Sequence, residues 1–489
     1  MMNKIFLSIY AWSVFSLVGF SQTNALWPPS SPEAQGMNSQ TFADALHRFR
    51  HDSTNIHSLL IIKNGHTVLD AYFYPFKKQY LHDMASVTKS ITALLIGIAV
   101  DKGFIKSEDE KVLKYFPMYR LGNDTLKKLT IKHLLNMSSG LQCGLADGEK
   151  ELNQMQHSAD WVRYMFSLPF EAMPGETFSY CSGNFYLLAE ILQKATGMSC
   201  HAFAIKYLFK PLGFGETYWQ ANAKGVNHGW GDLYISTYDF VKIGYLVLND
   251  GMWNGNQVIS KAWLNKIKPQ YEVKKTESYG YGWWLDSENP DEIQAIGRGG
   301  QRLFIFKQRK MVIATTGGGF ESGDIDNIAL GAIQSFDSSA TTTSNLLQLL
   351  KEIQNPPVDN KVVKSAARFS NAWLNKEYHF ESNNLGFASL QFERSGDKYY
   401  IIIRLADGGK EEHAIGWGNA YEISKEREFG LPIAVRGFWA GDSTLAIDYN
   451  ELCRIQNNKL IVAFSNKTLT LTLTEATKNI HKALVGKYP

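Results

Sequence analysis

An excess of charge of either sign is missing from this chain. Its 489 residues carry 50 Lys and Arg against 47 Asp and Glu, a formal net charge of +3, with no long basic run. The electrostatic footprint of a nucleic-acid binder is therefore absent, and the expected ligand is a small or neutral molecule. Cysteine is scarce as well. Cys143, Cys181, Cys200 and Cys453 form no CxxC pair and no Cys/His spacing suited to a metal. One disulfide and free buried thiols both remain open on that count. There is no HExxH and no HxHxD run, so zinc hydrolysis has no motif to stand on. There is no GxSxG either, and an Asn-Gly hairpin signal occupies the place where a nucleophile elbow would need a parallel strand.

Length points to two domains, because single cores usually stop growing below this size. Residues 1–25 hold one lysine, an apolar stretch shorter than the roughly 20 residues of a membrane span, and small residues around Gly19, Ser21 and Ala25. They read as a cleaved signal peptide, with export to a periplasmic or extracellular space and no stable membrane span afterwards. Strand-like text in 58–73 turns at Asn64-Gly65, the strongest short hairpin signal. Helical periodicity dominates from about 86 to 270, and strands return in 279–285 and 301–316. The reading is an α/β (α+β) domain over 26–357, an antiparallel sheet flanked by helices with an inserted helical subdomain. After Pro356-Pro357, residues 358–489 alternate in period two and suggest a small all-β sandwich or barrel. Trp417 and Trp439 in that segment read as core, with a ligand platform as the alternative.

The stretch MASVTKSITALLIGIAV (84–100) places Ser86 and Lys89 three apart at the start of a helix, on one face and within hydrogen-bonding reach. The plain reading is that Ser86 caps the helix and Lys89 reaches past the first turn to water. A lysine in the first turn, however, opposes the helix dipole, a cost that a catalytic role would explain. Desolvated and unprotonated, it would accept the Ser86 proton, and the helix N-terminus would offer N–H groups to an oxyanion. The same spacing recurs at Ser395 and Lys398 around a Gly-Asp turn, where it reads as surface. Two further elements follow. Tyr180, Ser182 and Asn184 cluster where a loop enters a helix, and Arg298, Gly299 and Gly300 precede a strand. Each also has a bland reading, a packed helix entrance and a plain turn.

Together and in this order, Ser86-x-x-Lys89, Tyr180-x-Ser182 and Arg298-Gly299-Gly300 resemble the signature of the serine β-lactamase-like superfamily in its class C branch. The likeness runs over about residues 30–355, and WPPSSPEAQGM (27–37) with GRGGQ (297–301) is most similar to the 6-aminohexanoate-dimer hydrolase subgroup. The resemblance implies a β-lactamase/penicillin-binding-protein-like fold and an exported serine hydrolase acting through an acyl-enzyme on amide, peptide or ester bonds. Ser86 would be nucleophile, Lys89 base and Tyr180 the proton donor to the leaving group. Ser182 and Asn184 would orient the substrate amide and the lysine. Arg298, Gly299 and Gly300 would border the substrate, and the Ser86 and Gln301 backbone N–H groups would hold the oxyanion. No cofactor and no metal are implied, and the partner is a small-molecule or peptide substrate. Arg298 where the family has lysine, and Ser182 where it often has asparagine, favour an amidase, peptidase or esterase. The alternatives are a β-lactamase or DD-peptidase, or a slowly deacylating penicillin-binding sensor or cell-wall-binding protein. Oligomeric state is not legible.

Overall fold

The computed structural model describes residues 26–52, 54–119, 124–145, 148–320, 322, 324–337, 344–357, 369, 372–425, 431–475 and 480–489. The proposed signal peptide and the boundary near 357–358 lie, wholly or in part, outside them.

Strands β1 (Ile56–Lys63) and β2 (His66–Tyr72) form the expected hairpin, with Asn64 and Gly65 at φ 52° and 76°. That left-handed pair is what a two-residue turn of matching twist requires. Short strands β3 (Leu81–Asp83) and β4 (Leu233–Ser236) pair with each other inside the helical insertion. The main sheet is completed by β5 (Tyr271–Lys274), β6 (Glu277–Gly280), β7 (Trp283–Asp286), β8 (Glu292–Gly297), β9 (Gln301–Phe306) and β10 (Met311–Gly317). Its order is β2-β1-β10-β9-β8-β7-β6-β5, antiparallel throughout.

Both faces of the sheet centre are covered, which explains the unbroken apolar run in β1. Leu59 and Ile61 point to one core, with Phe42, Leu46 and Phe49 of helix α1 (Ser39–His51). Leu60 and Ile62 point to the other, with Leu303, Ile305 and Val312. On that second face lie α2 (Val87–Asp101), α3 (Ser182–Thr196) and α4 (Thr237–Leu248). Thirteen of the fifteen residues of α2, from Val87 to Ala99, are buried, so the helix has no solvent face along that stretch.

Ten strands follow: β11 (Glu377–Phe380), β12 (Phe387–Ser395), β13 (Lys398–Leu405), β14 (Lys410–Trp417), β15 (Glu422–Lys425), β16 (Pro432–Trp439), β17 (Thr444–Glu451), β18 (Asn457–Phe464), β19 (Thr468–Glu475) and β20 (Ile480–Lys487). Their order is β14-β13-β12-β11-β20-β19-β18-β17-β16-β15, and a parallel β14–β16 pairing at Gly416–Arg436 and Trp417–Gly437 closes the ring into a barrel. Closure removes the exposed edges that an open sheet would present. Trp417 and Trp439 pack against the core of this barrel, and the second Ser-x-x-Lys sits on the exposed β12–β13 turn.

Candidate active site

The three sequence elements converge at the N-terminus of α2. β3 delivers the chain to Met84, and Ala85 then takes a left-handed φ of 45°, a conformation that costs a non-glycine residue roughly 1–2 kcal/mol. The Asp83 carboxylate holds it there, accepting the Ala85 N–H at 2.8 Å. Ser86 occupies the N-cap position but caps nothing, since its side chain accepts no backbone N–H. Instead Lys89 Nζ donates to Ser86 Oγ at 2.8 Å and to the Trp230 carbonyl at 2.9 Å. Lys89 is 2 % exposed. The Ser86 N–H finds no hydrogen-bond partner among the described residues, which leaves a donor beside the hydroxyl.

Tyr180 faces this pair. Lys89 Nζ lies 4.9 Å from its ring centroid, and Trp284 stacks on the ring at 6.0 Å between centroids and 22° between planes. Its hydroxyl has no hydrogen-bond partner among the described residues. The neighbouring Cys181 forms a disulfide with Cys143, Cα–Cα 5.3 Å, so the middle of the Tyr180-x-Ser182 motif is tied to the 141–144 segment. Cys200 and Cys453 are buried thiols outside any disulfide, so the chain holds one disulfide and two thiols.

Neither Ser182 nor Asn184 is hydrogen-bonded to Lys89. Ser182 Oγ donates to the Glu149 carboxylate rather than to Lys89, and Asn184 is fully buried with its Nδ2 on Met137 Sδ at 3.9 Å. Both lie in the first turn of α3, and it is the Trp230 carbonyl that orients the lysine.

Gly299 and Gly300 have φ of 89° and 98°. A Cβ at Gly299 would stand 2.3 Å from Ile455 Cγ2, and one at Gly300 would stand 2.3 Å from Phe320, so neither position tolerates a side chain. The Gln301 side chain is used internally: Nε2 donates to the Arg298 and Gly317 carbonyls, and Oε1 accepts the Gly317 N–H. Any part of Gln301 in holding an oxyanion falls to its backbone. Arg298 is exposed, and the group whose charge it most evidently meets is Asp83 rather than Tyr180.

Trp230, Trp284, Glu149 and the Ile455 loop were not among the expected residues. Trp230 carried one faint signal, the flanking glycines of HGWGD (228–232), which mark a backbone that others approach closely. Among the described residues no group of His, Cys, Asp and Glu is arranged to hold a metal ion, and no helix is long and apolar enough to cross a membrane.

Behind β3 lies a buried histidine pair. His57 Nδ1 and His82 Nε2 are 2.8 Å apart, and His82 Nδ1 donates to the Asp83 carbonyl at 3.0 Å. That donation assigns His82 Nε2 as the acceptor from His57. Burial pushes His82 from 6.5 down to about 4. As pH falls below 6.5 the unfolded chain takes up this proton before the folded one, so stability present above 6.5 is lost on the way to 4. Between pH 7.5 and 5 the wild type is expected to lose about 2 kcal/mol more than His82→Gln, read from urea unfolding at the two pH values. Parallel losses in the two proteins would refute it.

A family profile described as Beta-lactamase matches residues 52–333. A 6-aminohexanoate-dimer hydrolase from Paenarthrobacter ureafaciens is 22% identical over 289 residues, 54% of this chain and 73% of that protein. Among solved structures, a family VIII carboxylesterase superposes with a TM-score of 0.51 at 16% identity, covering 63% of this chain and 98% of its own. A penicillin-binding protein homolog from Caulobacter crescentus gives 0.51 at 15% identity, with 63% and 98% covered. At such identities these two show the shared fold alone.

Proposed function

Because this chain belongs to the beta-lactamase family, we propose that it is a serine hydrolase working through an acyl-enzyme on Ser86. The observation that carries the reading is a helix-start serine that forgoes its cap and accepts instead from a buried lysine at 2.8 Å. When the amine is unprotonated the same contact runs in reverse. Ser86 Oγ bonds to the substrate carbonyl carbon and its proton passes to Lys89 Nζ. The oxyanion is met by the Ser86 N–H and, by resemblance, the Gln301 N–H. The C–N or C–O bond then breaks, and the leaving group takes a proton through Tyr180, whose ring centroid lies 4.9 Å from Lys89 Nζ. Water attacks the acyl carbon, the acid departs, and Ser86 regains its proton.

The substrate class is a linear amide, peptide or ester. Arg298 presents a planar fork where the family's lysine presents a point charge, which alters how a carboxylate is received and disfavours a dedicated β-lactamase. We place the protein outside the reducing cytosol, because the Cys143–Cys181 disulfide beside Tyr180 belongs to an oxidising compartment.

A fluorophosphonate probe is expected to label the wild type, with the adduct mapping to Ser86 by peptide mass spectrometry. Undiminished labelling of Ser86→Ala would overturn the reading. Nitrocefin, p-nitrophenyl esters, D-Ala-D-Ala peptides and linear amide dimers then rank the substrates. Stable acylation without turnover on all four would mark a penicillin-binding sensor instead.

A further inference from the structure

The C-terminal barrel does not merely follow the catalytic domain. Its β17–β18 connection, residues 452–456, is pressed against β3 and the Gly299 turn. The Asp83 N–H donates to the Cys453 carbonyl at 2.7 Å, Cys453 packs with Leu81 and Tyr234, and Ile455 lies on Gly299 where no Cβ would fit. Leu452, Cys453 and Ile455 are at most 1 % exposed, so the loop is embedded rather than resting on the surface.

Beside this loop is a cavity of about 210 Å³ whose walls come from both domains. Asp83, Asp232 and Arg298 supply one side, Arg454, Gln456 and Leu431 the other. The first three are neighbours in sequence of the Ser86, Trp230 and Gly299-Gly300 parts of the candidate site. Asp83 stands three residues before Ser86, Asp232 two after the Trp230 that holds Lys89, and Arg298 opens the Gly299-Gly300 element. Carboxylates, guanidinium groups and the Gln456 amide line it, so it suits a hydrogen-bonding chain with a charged end and not an alkyl tail. Asp83 is buried close to the charge of Asp232, and both burial and that charge drive its carboxyl pKa upward. Gln456 is half-buried, and its side chain makes no hydrogen bond to any described residue.

We propose that this cavity is a substrate subsite shared between the domains, in which the 452–456 loop receives the charged end of a linear amide or peptide that reaches beyond the scissile bond. The inference rests on the assignment of Ser86 as nucleophile. The barrel then acts as a specificity element: substrates confined to the scissile bond ignore it, and extended polar ones are read by it.

The test uses protection of Ser86 from the fluorophosphonate probe in the full-length protein, with the linear 6-aminohexanoate dimer and a dialanine peptide as competitors. Gln456→Trp fills the cavity, and the competitor concentration that halves labelling is expected to rise about tenfold. Gln456→Ala, which introduces no bulk, should raise it by about threefold. An unchanged concentration in both variants, or no protection of the wild type by either competitor, overturns the proposal. Absence of the adduct on Ser86 would instead refute the nucleophile assignment, a distinct result.

Discussion

Ser86→Ala is expected to lower kcat/KM on the best substrate of the panel by about 10⁴-fold or more, the scale on which removing a nucleophile acts when its partners are left in place. Substrate binding should survive, because the lost atom is one hydroxyl oxygen on an N-cap that caps nothing. The same structural fact removes the capping term: a capping serine replaced by alanine costs about 1 kcal/mol, and here the stability change is confined to Lys89 Nζ losing its contact with Ser86 Oγ while it keeps the Trp230 carbonyl. The two readings of this serine therefore separate on activity. A helix cap predicts activity retained with the capping energy lost, and a nucleophile predicts activity lost with only the Lys89 contact given up. Thermal unfolding and steady-state kinetics on the one variant decide between them, and residual activity within tenfold of wild type would remove Ser86 from the mechanism.

Much of this was legible because it was local. The Asn64-Gly65 turn, the period of α2 and the Ser86–Lys89 spacing depend on residues a few positions apart, and the chain has only a small menu of ways to satisfy them. The order of Tyr180 and Arg298 downstream was readable as resemblance. What could not be read were the partners reached across the fold. Lys89 is oriented by the Trp230 carbonyl 141 positions away, and a backbone oxygen leaves no side-chain trace in sequence. Ser182 donates its hydroxyl to Glu149, 33 positions earlier, a partner that no local pattern marks. The barrel loop is further still: nothing in Cys453 or Ile455 announces that Gly299 is left bare for them. Cysteine counting left disulfide and thiol both open, and the structure contains each.

Lys89→Met removes the proton acceptor while keeping the length and apolar stem of the side chain. Fluorophosphonate labelling and substrate turnover should both slow by about 10²–10⁴-fold, the range a positioned general base contributes. Stability responds to opposing terms. Taking out a buried amine relieves its desolvation, and Lys89 is 2 % exposed. Against this, the Trp230 carbonyl and Ser86 Oγ lose their donor, at about 1–3 kcal/mol for each buried acceptor left bare. A structural lysine would show the second effect alone, as a fall in unfolding free energy with the labelling rate of the folded fraction unchanged. A base shows the slowed rate in protein that is still folded. Labelling time courses normalised to the folded fraction therefore carry the decision, and a rate within threefold of wild type would place the proton on another acceptor.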